Sequence, residues 1–198
     1  MEPLQYAVAK FRMTWFPSTG ENQPFWFRAR QEKFRAILTD LCDTCIPVIE
    51  NLHNTLSPSN LLHACTDWPV ADLVVLSIML DQMPRNALAI GYGRYAKMDP
   101  LDVKTAVDDS FSLAFADSLR VEITIPTTDE RVVCFFSLVF RHANAFSAAR
   151  SILISLASCK PSESELNSVA PNRLGLPALA QNFWTETTKR EQSLGVQS

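Results

Sequence analysis

Glycine is scarce in this chain, with five in 198 residues. Sheets turned by many hairpins, and loops that wrap a phosphate, place glycine where the backbone runs left-handed or lies against a ligand. The shortage disfavours both and leaves helix as the expected element. No block of lysine and arginine is present either. With 18 basic against 21 acidic residues and a pI near 5.6, the balance argues against a broad nucleic-acid surface. No apolar run approaches the roughly 20 residues of a membrane span. The N-terminus lacks an apolar core followed by small residues, so a secretory signal is not expected. Lys10 and Arg12 on an apolar start faintly resemble a mitochondrial presequence, but Glu2 and the absence of serine and arginine richness count against it. The expected compartment is the cytoplasm, with the mitochondrial matrix as the alternative. A disulfide framework is missing too. Cys42, Cys45, Cys65, Cys134 and Cys159 are odd in number and sit mostly in apolar stretches, which reads as reduced thiols.

What is present suits one globular domain over 1–198, with 47% hydrophobic and 20% charged residues. The stretch that organises it is Leu73 to Leu88, LVVLSIMLDQMPRNAL. Its apolar first half predicts a helix buried on most sides, introduced by Asp67-Trp68-Pro69 and running to about Gln82. Asp81, Gln82, Arg85 and Asn86 then follow where no surface is expected. Asp81 opposes the helix dipole and would be costly to bury alone. Arg85 lies four residues on, within reach if the helix continues through Pro84. The four polar side chains are expected to form one hydrogen-bonded knot beside the core.

Elsewhere, Leu4, Val8, Phe11 and Trp15 recur at helical spacing and predict a helix over about Pro3 to Trp15. A second run from near Pro24 carries the stripe Phe34, Ile37, Leu38, Leu41, Cys42 and Cys45, with Pro47 interrupting or kinking it. Leu61 to Cys65 predicts one further turn. Asp99-Pro100-Leu101-Asp102 has the form of a helix start, followed by Val103, Ala106, Val107, Phe111, Ala114 and Phe115. Val121 to Ile125 alternates and predicts a short extended link. Thr127 to Glu130 caps a helix from Arg131 to about Arg141. Another helix is expected over Ala145 to Ser158, then a Ser-rich loop over 158–171, and a last helix over about 177–189. The core is expected within about 3–158. The sum is an all-α antiparallel array of about seven or eight helices, without a strict internal repeat.

LDQMPRN, Leu80 to Asn86, preceded by Trp68-Pro69 and followed by Asp99, resembles the signature of the DUF924 family. Phe11 to Phe16 with Phe25-Trp26-Phe27 is similar to that family's opening aromatic segments. RVVCFFSLVFRH, Arg131 to His142, is similar to a later segment ending in His-Ser-Glu. The resemblance spans about Leu4 to Leu156, and the seven-residue match is its specific part. It implies a TPR-like α–α superhelix of paired helices, in a family with no settled biochemical function. This chain departs from the pattern at several points. His142-Ala143-Asn144 stands where the family has His-Ser-Glu, and Val139 replaces a proline. Ala87 to Ile90 occupies the place of an arginine, for which Arg94 is the nearest substitute. A family site built from Asp, Arg, His and Glu would be incomplete here, which points from enzyme towards interaction module.

Each candidate residue has a chemical and a packing reading. Arg85 can anchor an anion and Asp81 can act as acid or base; equally, the knot can pin a helix junction at Pro84. His142 can pair with Asp81 and begin general-base chemistry, or serve as a helix-end residue. No G-x-S-x-G nucleophile motif accompanies it. Cys42-Asp-Thr-Cys45 has redox or zinc spacing but lies on an apolar stripe, which favours packing. His53, His63 and Cys65 make a weak metal set, and no metal or cofactor is expected. Trp26 belongs to an aromatic group (Trp15, Phe16, Phe25, Trp26, Phe27) that forms either a flap over the core or a docking patch. Trp68 is expected to border the knot, where it and Phe140 would decide whether Asp81 and Arg85 reach solvent. The expected function is a non-enzymatic helical scaffold that binds a protein partner, alone or within a larger organellar assembly, with its oligomeric state open. The alternative is a small-molecule-binding protein or hydrolase-like enzyme with a central Asp81, Arg85 and His142 pocket.

Overall fold

From Leu73 to Pro84 every residue of one helix is buried, and the other helices pack around it. The computed structural model describes residues 2–99, 103, 107–122, 129–158 and 171–195. Among these residues the chain is all-helical, with eight α-helices and no strand. They are α1 (Glu2–Trp15), α2 (Arg35–Thr55), α3 (Pro58–Ala64), α4 (Val70–Ile90), α5 (Asp109–Glu122), α6 (Glu130–His142), α7 (Phe146–Ile154) and α8 (Ala178–Ser193). The central helix α4 touches α1, α2, α5 and α6, while α7 and α8 cover the far side of α6.

α4 does not stop at Gln82 but continues through Pro84 to Ile90. A proline at 84 has no N–H to give the carbonyl of Leu80. Side chains bind the same turn instead: Asn86 Nδ2 donates to the Gln82 carbonyl at 2.7 Å and Arg85 Nε to Asp81 at 3.2 Å. The helix ends at Gly91 in the left-handed conformation (φ 65), where the Tyr92 N–H reaches back to the Ala87 carbonyl at 2.8 Å. Arg35 Nη1 takes the Ile90 carbonyl at 2.9 Å, so the start of α2 clamps the end of α4. Helix α2 likewise runs through Pro47 without a break. By length and composition α4 is able to cross a membrane, but 89% of its most apolar window is buried inside the protein.

Other boundaries differ from expectation for local reasons. Residues 24–31 form turns, and α2 begins only at Arg35 after a 3₁₀ turn over Glu32–Phe34. α5 starts at Asp109, where Asp108 accepts the Ser110 N–H at 2.9 Å and supplies the cap. The expected start at Asp99–Asp102 falls largely outside the described residues, as do Cys159 and most of the Ser-rich loop. Val121 and Glu122 extend α5 instead of opening an extended link, and 123–128 lie outside the described residues. Asp129 caps α6 through the Arg131 N–H at 3.0 Å. α7 stops at Ile154, where Ser155 Oγ binds the Ile152 carbonyl at 2.8 Å, and α8 runs to Ser193.

An aromatic cluster ties the first turns to the last helices. Phe135 of α6 is fully buried and lies against Trp15, Phe16, Trp26, Phe27 and Phe183, at centroid distances between 4.8 and 6.1 Å. Trp26 is fastened by its indole N–H to the Trp15 carbonyl at 3.1 Å. The far helix is held by a buried pair, Arg150 of α7 donating to both oxygens of Glu191 at 2.7 and 3.1 Å.

Candidate functional site

Three of the four expected side chains, Asp81, Gln82 and Arg85, form the knot; Asn86 bonds the Gln82 backbone carbonyl instead, and His142 and Asp109 join in its place. Asp81 is completely buried. One oxygen accepts from Arg85 Nε at 3.2 Å, the other from Gln82 Nε2 at 2.5 Å, and His142 Nδ1 sits 3.0 and 2.9 Å from the two. Arg85 also binds Asp109 at the start of α5 through Nη2. Below it, Arg190 of α8 donates to the His142 carbonyl at 3.4 Å and to Asn144 Oδ1 at 3.3 Å. One guanidinium therefore joins α4 to α5, and one imidazole joins α4 to α6.

His142 reaches Asp81 because α6 ends there. Asn144 takes the left-handed conformation (φ 62), and the Ala145 N–H closes the helix on the Phe140 carbonyl at 2.8 Å. Asparagine tolerates that conformation better than most residues. The departure His142-Ala143-Asn144 is thus a helix terminator whose side chain also grips Arg190.

Burial by itself raises the Asp81 carboxyl. The charges of His142 and Arg85, with the hydrogen bonds from His142 and Gln82, outweigh it and bring the carboxyl down to about 2. Burial pushes His142 below its ordinary value, against the upward pull of Asp81 and with Arg85 and Arg141 repelling its charge. At neutral pH Arg85 is therefore the standing cation, Asp81 the anion and His142 neutral. A carboxylate only accepts, so the imidazole proton lies on Nδ1 and the lone pair on Nε2. The neighbouring Arg141 is also lowered by burial, to about 10, and rests over the Phe183 ring at 5.5 Å.

Both shifts predict acid sensitivity of the same sign. The unfolded chain takes up the His142 proton near its ordinary value while the folded one resists, so stability is full above about pH 6.5 and falls below it. Asp81, held below its ordinary value by its partners, adds a contribution that is present above about pH 4 and is lost as the pH falls further. His53, also lowered by burial, adds to the first loss. His142→Gln keeps an N–H donor and should make the decline between about pH 7 and 5 shallower in urea titrations. An unchanged decline would contradict the neutral buried imidazole.

Outside the knot lies a cleft of about 530 Å³ between α4 and the turns before α2. Gln82, Arg85, Asn86 and Ala89 form its floor, and Trp26 to Gln31 its wall. Arg85 is 16% exposed there, whereas Asp81 and His142 are not among the lining residues. Phe27, at 65%, is the most exposed of the five clustered aromatics; Trp15, Phe16, Phe25 and Trp26 are buried. Trp26 reaches the cleft, but Trp68 borders neither it nor the knot. It lines two other grooves, one with Arg12, Met13 and Asp72 and one with Leu62, Leu73 and Ser118. Asp81 is sealed without it.

Cys42 and Cys45 are fully buried thiols, each raised by burial to about 12, and Cys45 Sγ points to the Ala7 carbonyl at 3.9 Å. A nucleophilic thiolate is disfavoured there. His53 packs its ring on Phe111 at 4.4 Å, while His63 is exposed. No three of the described His, Cys, Asp and Glu side chains come together as metal ligands. Sequence reasoning missed Asp109, Arg28 and Phe135. Nothing local marks Asp109, which is 24 residues from Arg85 in sequence. No family model, curated protein or solved structure matches this chain.

Proposed function

We propose that the chain is a non-enzymatic helical interaction module that binds a protein partner across the cleft between residues 26–31 and α4. The observation that carries this reading is the division of labour in the site. The groups able to move a proton, Asp81 and His142, are turned inward and bonded to each other, and neither lines the cleft. The cleft itself presents the exposed Phe27, arginines and side-chain amides, which are surface-recognition chemistry. The LDQMPRN match supports placing the chain as a divergent DUF924 member with TPR-like helix pairs. Purification from the native source at low salt tests the reading. A partner retained in stoichiometric amount by the wild type, and lost with Phe27→Asp at an unchanged Tm, is the expected result. Elution alone, or retention that ignores Phe27→Asp, would overturn it.

One observation favours a second reading, a small-molecule site. The Nε2 atom of His142 has no hydrogen-bond partner among the described residues, and the side chain keeps 14% exposure. A neutral imidazole oriented by a buried carboxylate has the make-up of a general base. Metabolite-induced rises in Tm that disappear in His142→Gln would favour this reading over the first.

A further inference from the structure

The chemistry of the cleft specifies more than a partner in general. The amides of Gln82 and Asn86 are committed on one side. Gln82 Nε2 must donate to the Asp81 carboxylate, and Asn86 Nδ2 to the Gln82 carbonyl. Because both inner partners accept only, the oxygens Oε1 and Oδ1 are the free ends, and both residues line the cleft. Between them on the same face stands Arg85. Its Nε and Nη2 are used by Asp81 and Asp109, and Nη1 has no partner among the described residues. The floor therefore offers acceptor, donor, acceptor along one turn and a half of α4. Arg85 with Asp81 and Asp109 sums to one negative charge, so the floor attracts N–H groups and does not attract a dianion. The rim has the opposite sign. Arg28 and Arg30 line it, no carboxylate lines the cleft, and the exposed Arg28 guanidinium has no partner among the described residues.

We propose that the cleft binds an extended acidic peptide segment of the partner. Its backbone N–H groups meet Gln82 Oε1 and Asn86 Oδ1, a backbone carbonyl meets Arg85 Nη1, and an Asp or Glu side chain lies at the rim with Arg28. A backbone supplies alternating donors and acceptors that match the floor, and a single carboxylate matches the rim. A nucleotide fits less well. Its phosphate would face the net negative floor, and of the two aromatics lining the cleft only Phe27 offers an open ring to stack on.

The inference rests on the proposed interaction role, and the test separates the two. The probe is a fluorescein-labelled, C-terminally amidated peptide of alternating Ala and Asp, read by anisotropy against its Ala and Asn counterpart. The acidic peptide should bind at least about tenfold more tightly and weaken as salt rises. Arg28→Glu should remove that preference at an unchanged Tm, and Asn86→Ala should weaken both peptides about threefold or more. Methylating the peptide's backbone nitrogens should abolish binding, since that removes the N–H donors. Equal binding of the two peptides, or indifference to Arg28→Glu, overturns the acidic-peptide assignment. So does displacement of the probe by adenosine monophosphate at lower concentration than by unlabelled peptide. A native partner that is lost with Phe27→Asp but retained by Arg28→Glu and not displaced by the acidic peptide would leave the interaction role standing and the inference refuted.

Discussion

Phe135→Ala is expected to lower unfolding stability by about 4 kcal/mol, within the range for deleting a buried phenylalanine. The ring touches five aromatic neighbours drawn from α1, the turns before α2, and α8. Removing it opens a cavity that no single neighbour can fill, because each is held by its own packing. The effect should reach function as well. Trp26 and Phe27 lean on Phe135, so the cleft wall loses its backing and peptide affinity falls even where the variant remains folded. Phe135→Leu keeps most of the volume and should cost about 1–2 kcal/mol. Urea unfolding measures both, and a Phe135→Ala loss below about 1 kcal/mol would mean the cluster is loosely packed.

Arg85→Ala should cost about 3 kcal/mol near pH 8, since it takes the standing cation from a fully buried carboxylate. The loss should then depend on pH. Arg85 is one of the charges that push His142 down, so in the variant the imidazole charges more readily and can replace the missing cation. A raised folded-state value for His142 gives stability that is present below about pH 6.5 and lost above it. The deficit relative to wild type should therefore narrow towards about pH 5.5. A Tm equal to wild type at both pH values would remove the structural role of the pair. A deficit that does not change with pH would remove His142 from the account.

The helices were legible in the sequence where apolar spacing was strong. α1, α4 and α6 stand within a few residues of expectation apart from the end of α4. The errors share a cause: a local signal was overridden by partners distant in sequence. Pro84 looked like a helix end, but the turn after it is stitched by Asn86 and Arg85 and clamped by Arg35. Val121 looked extended, but α5 carries on through it. The core of the site was readable because an Asp and an Arg four residues apart inside an apolar run have few ways to be satisfied. For His142 the sequence left pairing with Asp81 and a helix-end role both open, and the geometry shows the pairing. Asp109, Arg190 and the Arg150–Glu191 pair had no such cue, except that Arg150 sits within FSAARSILI, where a lone charge asks for a partner.

The polar half of α4 has a consequence before folding is complete. A nascent helix of 21 residues whose most apolar 18-residue window has a mean hydropathy of 1.3 matches a membrane segment by length and composition. Asp81 falls one residue past its midpoint, where insertion of an acidic side chain costs about 2.5–3.5 kcal/mol, and Arg85 adds a second penalty nearer the end. The carboxylate that gathers Arg85, Gln82 and His142 in the finished fold thus also weighs, earlier, against insertion.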